Sequence, residues 1–224
     1  MNKKFNKTIL NIKTNILKLT HKAKSSHIGS SLSIVEILVA IYFNFKLKKN
    51  RFILSKGHAS LALYCALFQK GTISLKTLNS YGTNKTILMG HVSHKVKGVE
   101  FSTGSLGHGL PVAVGKALKF KINKEINNVF VLISDGELNE GTTWEALMFA
   151  SHHKLNNLNI IVDNNKIQSM DFTNKILNIG PLKKKFEAFG CKVYEVNGHD
   201  IAAITKALKA KSKNKPKIII ANTI

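Results

Sequence analysis

The chain has 224 residues, 44% hydrophobic and 21% charged, a balance that excludes a wholly disordered chain and fits one large domain or two small ones. Its 34 basic residues against 12 acids give a net charge of +22, but Arg51 is the single arginine, and proteins that read nucleic acid lean on arginine's bidentate contacts. With 33 lysines, 24 isoleucines and 22 asparagines, the charge reads as compositional drift on a solvated surface, which argues against nucleic acid as a partner yet helps attract a phosphorylated substrate.

Residues 8–24 place Ile9, Ile12, Ile16, Leu17 and Leu19 near the helical period with lysines between them, which predicts an amphipathic helix. Gly29, Ser30, Ser31 and Ser33 interrupt it, and a more apolar helix over 32–43 follows, suited to a buried position. Residues 51–55 read as a short strand closed by the turn Lys56-Gly57-His58, with a helix over 59–69 beyond it. Residues 71–103 are rich in Gly, Ser, Thr and His and predict loop with short elements. From Gly104 a glycine-rich stretch leads into a buried helix. VFVLIS at 129–134 is a continuous apolar run, as expected of a parallel strand covered on both faces. A helix over 142–154, a strand over 159–163, a helix bracketed by Pro181 and Gly190, a strand over 191–196, a helix over 200–211 and a strand over 217–222 complete the alternation.

That alternation predicts an α/β fold: a doubly wound, mostly parallel sheet with helices on both faces. With no linker and no internal repeat, it predicts one domain over 1–224. Cys65 and Cys191 form neither a CxxC spacing nor a disulfide framework, which fits reduced, buried thiols in a cytoplasmic protein. No apolar run approaches the ~20 residues of a membrane span. The first 35 residues carry lysines and no acid, a faint transit-peptide pattern, but 25–33 belong to the fold.

Ligands of such sheets sit at the carboxyl ends of strands, near a topological switch point. Two strand ends stand out there. One reads SDGELNEG from Ser134, and the other reads DNNKIQ from Asp163. Asp135 and Asn165 lie one strand–helix–strand unit apart, on strands suited to be neighbours. A carboxylate, an amide oxygen and a nearby backbone carbonyl form a hard-oxygen set suited to Mg2+, which takes its remaining ligands from phosphates and water. Gly136 lets backbone approach a phosphate. An ordinary pair of strand-end turns accounts for the spacing about equally well.

The histidines shift that balance. His27 (SSHIGSS), His58 (SKGHAS) and His91 (MGHVSH) each sit in a glycine- or serine-rich turn. One such histidine is usually structural; three beside a metal–diphosphate pattern suggest a lined polar site. His94, His108, His152, His153 and His199 are weaker candidates.

Five segments in order then resemble the diphosphate-binding half of transketolase, a thiamine-diphosphate enzyme family: KAKSSHIGSSLSIVEIL, RFILSKGHASLALYCAL, GHVSHKVKGVEFSTGSLGHGLPVAVGKAL, VFVLISDGELNEGTTWEALMFASHHKL and IIVDNNKIQ. NGHD at 197–200 and KPKIIIANTI extend the likeness to nearly the whole chain, which is most similar to the separate N-terminal subunit of split transketolases. The resemblance implies a thiamine-diphosphate-binding fold. It implies that Asp135, Asn165 and the carbonyl of Ile167 bind Mg2+. It places the Gly136 backbone against the diphosphate, His58 against the cofactor, and Gly104, Ser105 and Leu106 against the aminopyrimidine end. His27 and His91 would face the reacting carbon and the sugar hydroxyls, and Glu140 would sit at a subunit interface.

The implied reaction is reversible transfer of a two-carbon ketol unit from a ketose phosphate to an aldose phosphate. The glutamate that activates the cofactor belongs, in this family, to a pyrimidine-binding domain, so a separate partner chain and a dimer of heterodimers are expected. An apolar helix over 32–43 and the run GLPVAV at 109–114 are candidate partner contacts, with a buried core as the equal alternative. Two departures stand out. Ser134 replaces a family glycine, expected to be tolerated with slight crowding. The family also continues beyond the strand matching KIIIANTI toward another cofactor-facing histidine, so a shortened C-terminus is expected. Rival readings are a deoxyxylulose-phosphate-synthase-like or 2-oxo-acid-dehydrogenase-like component, or an eroded basic protein that binds nucleic acid.

Overall fold

The structure, a computed structural model, describes residues 3–224. Helix α1 (Lys3–Ala23) turns Ile12, Ile16 and Leu19 into the core, while Leu17 is left outside. The helix predicted over 32–43 is α3 (Val35–Asn44), and the Gly/Ser stretch read as an interruption before it holds a short helix of its own, α2 (Ile28–Leu32). The break falls at Ser33, whose hydroxyl donates to Asp163 Oδ2 at 2.7 Å. Val35 through Tyr42 of α3 are buried within this chain. The core thus claims the helix, and it offers no apolar face to a partner. Leu110, Ala113 and Val114 of GLPVAV are likewise core residues.

Strand β1 (Arg51–Leu54), a 3-10 turn at Gly57–Ala59, and helices α4 (Ser60–Gln69) and α5 (Leu75–Asn79) come next. They are followed by α6 (Gly109–Ile122), β2 (Val129–Ser134), a 3-10 turn at Gly136–Asn139 and α7 (Gly141–His152). The rest is β3 (Leu158–Asn164), α8 (Thr173–Ile176), α9 (Leu182–Ala188), β4 (Lys192–Asn197), α10 (Ile201–Lys209) and β5 (Lys217–Asn222). Asp200 starts α10 by accepting from the amides of Ala202 and Ala203 at 2.9 and 3.1 Å, as an N-cap carboxylate does.

Among the described residues the strands form one sheet in the order β1-β2-β3-β5-β4, and every pairing is parallel. Alternate residues of each strand feed opposite faces. Phe130, Leu132, Ile161 and Ile219 pack with α1, α3, α4 and α10. Val131, Ile133, Ile160 and Ile218 pack with α6, α7 and α9. Burial of each such side chain contributes about 1.5–3 kcal/mol, which explains why β2 is apolar from its first residue through Ile133. Among the described residues no helix is long and apolar enough to cross a membrane.

Candidate active site

The register that pairs Ser134 with Asp163 brings the carboxyl ends of β2 and β3 level. Asp135 follows β2 directly and is 2% exposed. Its Oδ1 accepts from the Gly136 amide at 2.8 Å and its Oδ2 from the Lys166 amide at 2.6 Å. Burial pushes its carboxyl up to about 6, against the pull of those two amides. No basic side chain lies within 4 Å of it among the described residues, so the buried carboxylate has no direct ion-pair partner, and the Lys56 ammonium acts on it only from farther off.

Beyond β3 the chain turns sharply. Lys166 has φ 64, and Asn165 Oδ1 accepts from the Ile167 amide at 3.0 Å. The Gln168 amide reaches Asp171 O at 2.9 Å and the Thr173 amide reaches Lys166 O at 3.0 Å. The carbonyl of Ile167, between them, receives no hydrogen bond among the described residues. Asp135, Asn165 and Ile167 all line one cavity of about 460 Å3. A carboxylate without an ion-pair partner, an amide and an unpaired carbonyl facing one space fit a hard divalent cation. No three His, Cys, Asp or Glu side chains converge as metal ligands among the described residues, and this oxygen set is of a different kind.

The same cavity gathers His27, His58, His91, Gly104, Leu106 and Gly136. Ser105 alone of the predicted site residues is off its wall; it is exposed, and its carbonyl lies 3.3 Å from His108 Nδ1. The His27 ring centroid stands 5.3 Å from that of His58 and 6.0 Å from that of His91. His27 holds a left-handed backbone, φ 67, just before α2. Burial pushes His58 down to about 4, helped by the Lys56 ammonium, and lowers His27 as well, helped by His91 and Lys56. A Cβ on Gly104 would stand 3.5 Å from the His91 ring, and one on Gly136 would stand 3.3 Å from Gln168 Cγ.

Beneath the cavity lies a polar floor that the sequence pattern did not reveal. Lys56 and Asp163 form an ion pair, and Ser33 and Thr223 donate to the two Asp163 oxygens. Glu137 is fully buried and accepts from Ser55, from the Gly107 amide at 3.0 Å and from the Ser134 amide at 3.0 Å, joining β1, β2 and the glycine-rich loop before α6. The signal available was Asp163, a charged residue inside the otherwise uncharged strand β3. Ser30, Gln168 and Ser169 also line the cavity and were not singled out. Ser134 does more than fit: its hydroxyl accepts from the Glu137 amide at 3.2 Å. Glu140 is exposed at the start of α7. His94, His108, His152 and His153 lie off the cavity wall. His199 contacts Glu36 at 3.2 Å and accepts from the Ile224 amide at 3.1 Å.

This fold and site define a parallel α/β chain with an oxygen-donor pocket and a histidine wall at its carboxyl edge. The family described as "Transketolase, thiamine diphosphate binding domain" matches residues 5–224. An apulose-4-phosphate transketolase subunit from Actinobacillus succinogenes is 44% identical over 208 residues, 88% of this chain and 75% of that protein. The 6-deoxy-6-sulfo-D-fructose transketolase subunit of a Clostridium species is 37% identical over 88% of this chain and 76% of that one. The crystal structure of transketolase from Campylobacter jejuni superposes with a TM-score of 0.93 at 33% identity, covering all of this chain and 38% of that one. The chain belongs to the transketolase thiamine-diphosphate-binding domain family.

Proposed function

We propose that this chain is the diphosphate-binding subunit of a two-chain transketolase that moves a two-carbon ketol unit between ketose and aldose phosphates with thiamine diphosphate and Mg2+. The observation that carries the reading is one cavity with a cation-ready oxygen set at one end and three histidines at the other. Relatives that are themselves named as transketolase subunits, of which this chain spans about three quarters, support a separate pyrimidine-binding partner.

In this reading Asp135 supplies the charge that holds the metal, and Asn165 and the Ile167 carbonyl complete the protein's share. Gly136 leaves the wall open where the diphosphate lies. Thiamine diphosphate, when bound, supplies the nucleophilic carbon that accepts the two-carbon unit. His58, uncharged at neutral pH, lines the cofactor's path without repelling Lys56. His27 and His91 hold the sugar hydroxyls and move protons at them. Gly104, Ser105 and Leu106 lie against the aminopyrimidine, and Glu140 faces the partner. We read residues 1–224 as one diphosphate-binding domain, with both helical layers packed on one sheet, and place it in the cytoplasm, where its buried thiols stay reduced.

The test is ketol transfer by the purified chain with and without a candidate pyrimidine-binding chain. Turnover is expected only from the mixture, with cofactor affinity rising on mixing because the ligand spans the interface. Robust activity from the chain alone would overturn the two-chain reading.

A further inference from the structure

The opposite edge of the sheet carries a second cavity, of about 580 Å3, where β2, β3 and β5 begin. Phe45 and Phe130 form its apolar side, with ring centroids 4.9 Å apart. Asn128 and Asn156 supply amides, and Lys209, Lys211 and Lys213 stand at its rim. Its lining contains no acid. In a lysine-rich chain, exposed lysines alone would mean little.

Lys217 is different. It is 4% exposed, at the first position of β5, and lines the same cavity. Compositional drift adds lysines where water solvates them; a lysine inside a parallel strand must find partners. Its ammonium donates to Leu208 O at 2.5 Å and Ala210 O at 2.8 Å, at the end of α10. An ammonium has three N–H groups, and the third meets no acceptor among the described residues. Burial lowers its pKa to about 8, which leaves it an ammonium at neutral pH. In register between Phe130 and Lys217 sits Asn159, fully buried, with an Oδ1 that receives no hydrogen bond.

We propose that this cavity is a second ligand site, for a small anion that carries a planar ring, of the mononucleotide class. The lysines without a competing acid select the anion. The two phenylalanines and the amides suit a ring with polar edges. The volume lies in the range of small-molecule pockets, roughly 300–1,000 Å3. The strand between the two sites holds them roughly 20 Å apart, so occupants of the two cavities do not compete.

The probe is AMP, titrated into the full-length chain by calorimetry, with thermal unfolding as a second readout. AMP is expected to bind, to raise the melting temperature, and to exceed both adenosine and inorganic phosphate by about tenfold or more in affinity. The double reversal Lys211→Glu/Lys213→Glu, at exposed positions that leave the fold intact, is expected to weaken AMP by about tenfold or more. Asp135→Ala and added thiamine diphosphate are expected to leave AMP binding unchanged. The proposal is overturned by AMP that fails to bind, that binds no better than inorganic phosphate, that ignores the charge reversals, or that is displaced by thiamine diphosphate. Because active-site variants leave this binding untouched, the outcome is independent of the transketolase reading.

Discussion

Lys56 and Asp163 pair beneath the histidine-lined cavity with side chains 1% and 0% exposed, although 107 residues separate them in sequence. A buried pair of this kind is strongly destabilised when one partner is removed, by about 3–5 kcal/mol, because the other charge is left alone. Lys56→Met and Asp163→Asn are each expected to lower the urea midpoint accordingly. The double variant Lys56→Met/Asp163→Asn is expected to lose less than the sum of the two. Additive losses would mean that the two side chains act separately.

Asp135 carries a carboxylate that the fold does not neutralise. Its pKa, raised from 3.8 to about 6, means that the native state holds the proton more tightly than the unfolded chain. Stability from this group is therefore present below about pH 4 and lost as pH rises through 6. Asp135→Asn is expected to stabilise the ligand-free chain at pH 7 by on the order of 1–3 kcal/mol while abolishing Mg2+-dependent binding of thiamine diphosphate. Unchanged affinity in the variant would remove Asp135 from the metal site.

His58 works in the opposite sense. Its folded pKa of about 4 lies below the ordinary 6.5, so as pH falls the unfolded chain takes up the proton first. Its contribution is complete above pH 6.5 and is lost between there and 4, about 2 kcal/mol of it by pH 5. His58→Gln is expected to flatten the fall in urea midpoint between pH 7 and 5. An equally steep fall in the variant would assign the slope to other groups.

His27 and His91 are expected to matter for rate. Positioned acid–base groups are worth about 10²–10⁴ in turnover. In the complex with its partner, His27→Ala and His91→Ala should lower kcat within that range with little change in cofactor affinity. A lost affinity with an intact rate at saturation would reverse the assignment.

Gly57 precedes His58 where the chain leaves β1. A Cβ there would lie 2.6 Å from Thr103 O, which is backbone and has nowhere to go. Gly57→Ala is expected to destabilise by about 1–3 kcal/mol and to shift His58. A urea midpoint within error of the parent would mean that the 103 loop yields freely.

The alternation of apolar runs and helical periods made the sheet readable in advance, because buried parallel strands such as 129–134 have no polar face to confuse the pattern. The site was readable in its residue types: glycine-flanked histidines and an Asp-Gly at a strand end. The Ser33–Asp163 hydrogen bond was not, since its partners lie 130 residues apart. The Lys56–Asp163 pair and the buried Glu137 were hidden for the same reason. Lys217 was invisible among 33 lysines until its burial set it apart.

The strand order has a consequence for synthesis. Among the described residues β4 pairs only with β5, and β5 alone joins it to β3. As the chain leaves the ribosome, N-terminal end first, β1, β2 and β3 have their neighbours in hand. β4 emerges without one and must wait until residue 222 has followed it. Until then β3 presents a bare parallel edge, and the polar floor around Asp163 lacks Thr223. A nascent chain halted in the α10–β5 loop would therefore carry an open sheet, a natural substrate for chaperones and for edge-to-edge association.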